Sequence, residues 1–169
     1  MKELLLKLRA CEEAVEWAGD KKAEEVIATC HRGDWLLWLA YKLEVDDRPL
    51  ALAKGHCANT VRHLMKDDRS IKAVDAAIAY GNGEISKEEL KDAALAAYYA
   101  AYSDSSYAAY AAAYYAASYA AYYAASYAAS AYASYAAYYA SAAADRKSNE
   151  LETADICRKY LGKLILEKL

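Results

Sequence analysis

The chain has 169 residues, a formal net charge of −3 and a sequence pI of about 5.7. That length suffices for one domain with a real core and a small second unit. Without a basic excess there is little to neutralise a phosphate backbone, so a general nucleic-acid binder is disfavoured.

Met1-Lys2-Glu3-Leu4 runs directly into an amphipathic pattern, so no secretory signal is expected. Leu4, Leu8, Cys11, Val15 and Ala18 recur at i, i+4, i+7, i+11 and i+14 and predict one helix, stopped by Gly19-Asp20. Ala23, Val26, Ile27 and Cys30 predict a second, short helix ending near Gly33. Asp34 is then placed to cap a third, because its carboxylate can accept the orphan N–H groups of a first turn. That helix reads Trp35-Leu36-Leu37-Trp38-Leu39-Ala40-Tyr41, apolar all round, which assigns it to the middle of the fold.

Asp46, Asp47 and Pro49 mark the next start, with Leu50, Ala53, Cys57, Val61 and Leu64 as its buried stripe. Asp67 or Asp68 caps a helix carrying Ile71, Val74 and Ile78, and Gly81-Asn82-Gly83 ends it. Five short helices joined by short loops make a compact bundle over residues 1–83.

Ser86 and Glu89 form a capping box, which starts a further helix near Lys87, with Leu90 and Leu95 leading into a biased tract. From Ala93 to Ala144 the 52 residues are 27 Ala, 15 Tyr, 8 Ser, one Leu and one Asp. Alanine has the best helix propensity and the tract has no Gly or Pro, so it is expected to be helical. The octad YYAASYAA at 114–121 is repeated at 122–129, and drifting copies extend on both sides. Eight residues turn a helix by about 800°, about 80° beyond two full turns, so the rings spiral around a straight helix. One unbroken helix from 87 to 160 would exceed about 100 Å at about 1.5 Å per residue, so at least two helices are expected, with a break near Ser103-Asp104-Ser105-Ser106. Asn149 with Glu152 resembles a second capping box, and a last amphipathic helix over about 150–168 carries Leu151, Ala154, Cys157 or Arg158, Leu161 and Ile165. The fold class is therefore all-α: a compact bundle (1–83) followed by long Ala/Tyr-rich helices and a closing helix (84–169) that pack back on it, the whole expected to form one cooperative unit.

The tract is too weakly apolar for a membrane span, because Ala and Ser are poor membrane formers and Tyr prefers the interface. A spiralling octad also gives no flat face for ice. His56 and His63 share one helix face beside Cys57, but the paired spacings of zinc sites are missing, and no metal or cofactor is expected. There is no GxSxG, no HExxH and no phosphate loop, and Glu12-Glu13, Asp46-Asp47 and Asp67-Asp68 read as solvated faces and helix starts. An enzyme is not expected. Cys11, Cys30, Cys57 and Cys157 have no CxxC spacing and sit in apolar helical patterns, the usage of reduced core thiols in a cytoplasm.

Binding through tyrosine is better supported. The chain has 18 Tyr and no Phe, which indicates that the hydroxyl matters or that one ring edge stays wet. Tyr offers rigid amphipathic contact area at low entropy cost, and small neighbours leave room for it. The candidate partner-binding residues are Tyr107, Tyr110, Tyr114, Tyr115, Tyr119, Tyr122, Tyr123 and Tyr127. The bland alternative is that the same rings are helix-packing core.

Arg32-Gly33-Asp34-Trp35-Leu36-Leu37-Trp38-Leu39-Ala40 resembles the RGDWLLWLA signature of the immunity proteins of bacterial polymorphic-toxin systems, sequences of which also occur in phages and prophages. The likeness extends to His56-Cys57-Ala58 with Arg62, through the Ala/Tyr tract, and into Ala154-Asp155-Ile156-Cys157-Arg158-Lys159-Tyr160, similar to an ADIVRKY-type ending. The chain departs from the family pattern in having almost no Arg or Glu inside the tract. The resemblance implies a non-enzymatic inhibitor, bacterial or phage-encoded and cytoplasmic, that neutralises a toxin protein by direct binding. It marks Arg32, Asp34, Trp35, Trp38, Arg62, Asp155 and Arg158 as positions that mainly hold the scaffold. Two alternatives stay open. One is a phage or prophage counter-defence protein sequestering a nucleotide-like ligand, with a cation from Arg62, Arg146, Lys147 or Arg158. The other is a structural protein in which the octads drive assembly of a homo-oligomer.

Overall fold

The computed structural model describes residues 1–64, 68–103 and 146–169. Among these residues the chain is all-α, with eight α-helices, one 3-10 turn and no strand. The helices are α1 (Lys2–Lys7), α2 (Glu12–Ala18), α3 (Ala23–Thr29), α4 (Gly33–Lys42), α5 (Asp47–Asn59), α6 (Asp68–Asn82), α7 (Lys87–Ser103) and α8 (Arg146–Lys168), with the 3-10 turn at Arg62–Leu64.

The stripe from Leu4 to Ala18 is not one helix. The chain breaks after α1 and resumes at α2. Arg9 adopts a left-handed conformation with φ of 61°, its N–H reaches the Leu6 carbonyl, and the Ala10 N–H reaches back to the Leu5 carbonyl. This is a Schellman stop, in which a left-handed residue lets two following N–H groups satisfy the last carbonyls of a helix. The turn rotates the pattern, so Leu5 is buried where Leu4 was expected, and Cys11 is exposed.

The same device ends α4 and α6. Glu44 has φ of 54°, with Glu44 N–H to Tyr41 O and Val45 N–H to Ala40 O. Gly83 has φ of 83°, with Gly83 N–H to Tyr80 O and Glu84 N–H to Ala79 O. The capping box at the start of α7 forms as the sequence indicates. The Ser86 N–H donates to Glu89 Oε2 at 2.8 Å and the Glu89 N–H donates to Ser86 Oγ at 3.2 Å.

α4 is the central helix. Gly33, Asp34, Leu36, Leu37, Leu39 and Ala40 are buried on it, and Trp35, Trp38 and Tyr41 are half-buried. α8 lies across α4 and α5 and touches α3. Its contact stripe is Ala154, Cys157, Leu161 and Ile165, all fully buried, while Leu151 is exposed at 45%. Cys157, not Arg158, occupies the buried position of that turn. Burying an aliphatic side chain such as Leu161 or Ile165 stabilises by about 1.5–3 kcal/mol, so this stripe accounts for the return of the last helix to the bundle. The main core joins α1 to α5 with α8. α6 packs on α5 and α7 on α6 through two smaller clusters, one around Ala73, Val74, Ala94 and Ala97, the other around Ala51, Ala77, Tyr80 and Leu90. The Lys87 ammonium meets Asp47 at 2.6 Å and ties the start of α7 to the start of α5.

Three further expectations are corrected. α3 ends at Thr29 and Gly33 opens α4, so Gly33 is a start, not a stop. Asn149 does not cap α8, which begins at Arg146; its amide donates to Thr60 Oγ1 at 2.8 Å and ties α8 to the end of α5. Val61 of the expected α5 stripe is half-buried beyond the helix end. Among the described residues no helix is long and apolar enough to cross a membrane.

Candidate functional site

The RGDW turn between α3 and α4 is built from its own residues. Arg32 Nε donates to Asp34 Oδ1 at 2.8 Å, and Nη2 donates to Oδ2 at 2.7 Å. This parallel fork is a strong, charge-assisted arrangement. Asp34 was expected to cap α4 through its carboxylate. Instead it lies inside the first turn, and both carboxylate oxygens accept from Arg32. The physical reason is that a guanidinium two residues away offers two bonds at once. An acidic group in this turn also suits the helix dipole. The bond to Asp34 holds the Arg32 guanidinium protonated more firmly than usual. Arg32 also lies 4.9 Å over the Trp35 ring and 3.7 Å from the Glu13 carboxylate.

Trp35 belongs to an aromatic trio. Trp17, His31 and Trp35 meet pairwise at 5.6–5.8 Å between ring centroids, at tilted or edge angles. Such geometries align ring edges with ring faces. The Lys21 ammonium sits 4.6 Å over Trp17 and bonds to that residue's carbonyl. Trp38 points to the main core as a half-buried ring, with Lys42 Nζ 5.9 Å above it.

Arg158 closes the turn from α8. Its Nη1 donates at 2.5 Å to the carbonyl of Cys30, the residue just past the end of α3, and Nη2 pairs with Asp155. A cation at a helix C-terminus is favourable for the orphan carbonyls there. Arg62 is separate from this cluster. It makes an exposed fork with Asp75 of α6, at 2.5 and 2.9 Å. That contact raises the Arg62 pKa and holds the Asp75 carboxyl below its ordinary range.

Behind the turn lie three buried thiols. Cys57 and Cys157 touch at 3.7 Å between sulfurs, and Cys157 Sγ is 3.4 Å from the Gly33 carbonyl. Cys30 Sγ is 3.4 Å from the Arg32 carbonyl. Contact with Cys57, then burial, pushes the Cys157 thiol well up, and burial pushes Cys30 up. His56 stacks on Tyr160 at 4.9 Å, and burial, then Lys159, lowers its pKa. His63 is exposed. Among the described residues no group of three or more His, Cys, Asp or Glu side chains is arranged to hold a metal ion.

The turn between α4 and α5 borders an open cleft of about 550 Å³, lined by Tyr41, Lys42, Val45 and Leu50 and by the carboxylates of Glu44, Asp46 and Asp47. Its lining has three acidic residues, one of them (Asp47) paired with Lys87, against one lysine, a balance unsuited to a phosphate-bearing ligand. Near it, burial lowers the Lys54 pKa to about 7, against the pull of Asp47.

The signature positions thus gather in two places. Arg32, Asp34, Trp35, Asp155 and Arg158 converge on the α3–α4 turn, with Trp38 about one turn further along α4 against the main core, and Arg62 lies apart in the 3-10 turn, paired with Asp75 of α6. The buried thiol contact and the Trp17–His31–Trp35 trio were not singled out in the sequence, since Cys57 is 100 positions from Cys157 and Trp17 is 14 or more from the other two rings. Tyr107, Tyr110, Tyr114, Tyr115, Tyr119, Tyr122, Tyr123 and Tyr127 lie outside the described residues, as does the expected break at Asp104-Ser105-Ser106. No family model, curated protein or solved structure matches the chain.

Proposed function

We propose that this chain is a non-enzymatic binding protein, an immunity protein that neutralises a toxin by covering it, and that it does so through the tyrosine–alanine tract. The observation that carries the reading is the octad itself. YYAASYAA recurs without change at 114–121 and 122–129 in a chain with 18 Tyr and no Phe. A tract built from one rigid amphipathic ring and small spacers is suited to contact a protein surface.

The α3–α4 turn supports this assignment by elimination. Arg32 and Asp34 satisfy each other, and Arg158 is spent on Cys30 and Asp155. Their placement accounts for the RGDW signature as scaffold, which leaves recognition to the tract. The nucleotide-sequestering alternative needs a cation near the rings. Of its four candidate cations, Arg62 is held by Asp75 and Arg158 by Asp155, which leaves that reading dependent on Arg146 or Lys147. Self-assembly through the octads remains a separate reading, and light scattering across a concentration series distinguishes it by growth in size.

The test is a search of the neighbouring genes for a toxin, followed by titration of the purified chain with it. A stoichiometric complex, with toxin activity suppressed and toxin mass unchanged, is expected. Suppression at far less than one equivalent, or a changed toxin mass, would show catalysis and overturn the reading.

A further inference from the structure

Cys57 sits near the end of α5 and Cys157 in the middle of α8, a hundred positions apart, yet their sulfurs are 3.7 Å from each other. Cys157 is 0% exposed and Cys57 is 7% exposed. A buried cysteine usually acts as a small apolar side chain. Two thiols from different helices in direct contact are a different object, because a covalent bond needs only a short closure. A disulfide holds its sulfurs at about 2.0 Å, so the pair would close by less than about 2 Å, within reach of side-chain rotation. Cys30 lies in the same buried group and helps raise the Cys157 thiol, but its sulfur has a different contact. Cys30 Sγ faces the Arg32 carbonyl and Cys11 is exposed on the far side of the α1–α2 turn.

We propose that Cys57 and Cys157 form a redox clasp, a dithiol that a peroxide converts to a disulfide fastening α5 to α8. Cys57 is the less enclosed sulfur and reacts first. It gives up its proton, attacks one peroxide oxygen and becomes a sulfenic acid as the other oxygen leaves as water. Cys157 then attacks that sulfur. The S–S bond forms, the sulfenic oxygen departs as a second water with the Cys157 proton, and the peroxide is reduced as the two thiols are oxidised. A small oxidant suits the site, since the enclosed pair admits no large disulfide reagent. Contact with Cys57 and burial raise the Cys157 thiol, so it stays protonated and idle until an oxidised sulfur lies beside it.

The consequence follows from where the bond falls. Residues 58–156, the whole tyrosine tract included, lie within the loop that it closes. Cross-linking constrains the unfolded chain most when the closed loop is long. The clasp therefore fastens the two ends of that loop, on α5 and α8, to each other.

The experiment treats the full-length protein with hydrogen peroxide, then unfolds it in an alkylating agent and maps its peptides by mass spectrometry. The expected result is a Cys57–Cys157 cross-linked peptide pair, a melting temperature raised by about 10 °C, and reversal of both by dithiothreitol. Recovery of both cysteines as alkylated thiols overturns the proposal. So does their recovery as sulfinic or sulfonic acids, or a bond to Cys30 or Cys11. A Cys157→Val variant is expected to lose the peroxide-dependent rise in melting temperature; a rise that persists in it also overturns the proposal. Mapping of the wild-type chain decides the matter even if that variant does not fold.

Discussion

Gly33 at the start of α4 lies against Thr153 of α8 so closely that a β-carbon at position 33 would come within 2.7 Å of the Thr153 carbonyl carbon and hydroxyl. Two helices touch there through backbone, and the Cys157 thiol meets the Gly33 carbonyl beside them. The glycine of the RGDW signature is thus explained by the approach of a helix that lies 120 positions away in the chain.

Gly33→Ala is therefore expected to destabilise by about 1–3 kcal/mol, the usual cost of forcing extra volume into a packed contact. The urea midpoint measures it. An alanine variant as stable as the parent would mean that α8 does not cross α4 at this residue.

The Arg32–Asp34 fork is mostly enclosed, with side chains 19% and 10% exposed. Asp34→Asn keeps the shape but removes the charge that strengthens both bonds. A loss of about 1.5–3 kcal/mol is expected, together with a change in the near-ultraviolet tryptophan signal as Arg32 loosens over Trp35. A loss below about 0.5 kcal/mol, the scale of an ordinary surface substitution, would show the pair to be incidental.

Glu44 ends α4 in a left-handed conformation, φ 54°, that costs an L-residue about 1–2 kcal/mol. Glycine has no such penalty but adds freedom to the unfolded chain, worth about 0.4–1 kcal/mol. Glu44→Gly is expected to raise stability by about 0.5 kcal/mol. A clear decrease would show that the Glu44 side chain holds the turn.

Lys54 supplies the pH dependence. Its pKa falls from 10.5 to about 7 in the folded chain, chiefly by burial. Between those values the unfolded state binds the extra proton, so stability rises with pH across that window. Below about 7 both states are charged and the burial penalty is carried in full. Lys54→Met is expected to be more stable than the parent near neutral pH, with the advantage shrinking as pH approaches 10.5. Paired denaturation curves at the two ends of the window measure this, and a pH-independent difference would contradict it.

Much of the fold was legible because local chemistry and burial agree. The Ser86–Glu89 box forms as its spacing indicates, and Gly81-Asn82-Gly83 ends α6 with the left-handed residue where glycine stands. The failures have two causes. Arg9 and Glu44 make the same stop without glycine, so the Leu4–Ala18 stripe read straight through a break. Asp34 had the type and place of a cap, but a cap reading cannot see Arg32 competing for both carboxylate oxygens. At the candidate site, the signature residues were readable as scaffold one by one. Their convergence was not, because Arg158 reaches Cys30 across 128 positions.

The central claim is that the signature residues hold the scaffold and the tract does the binding. The most direct measurement is the affinity of the proposed toxin partner for a Tyr115→Ala, Tyr123→Ala double variant, set beside the parent at matched helicity by circular dichroism. The account predicts binding weakened about 1,000-fold, since two aromatic hot-spot truncations cost about 2 kcal/mol each. Affinity equal to the parent's, with the double variant fully folded, would contradict it.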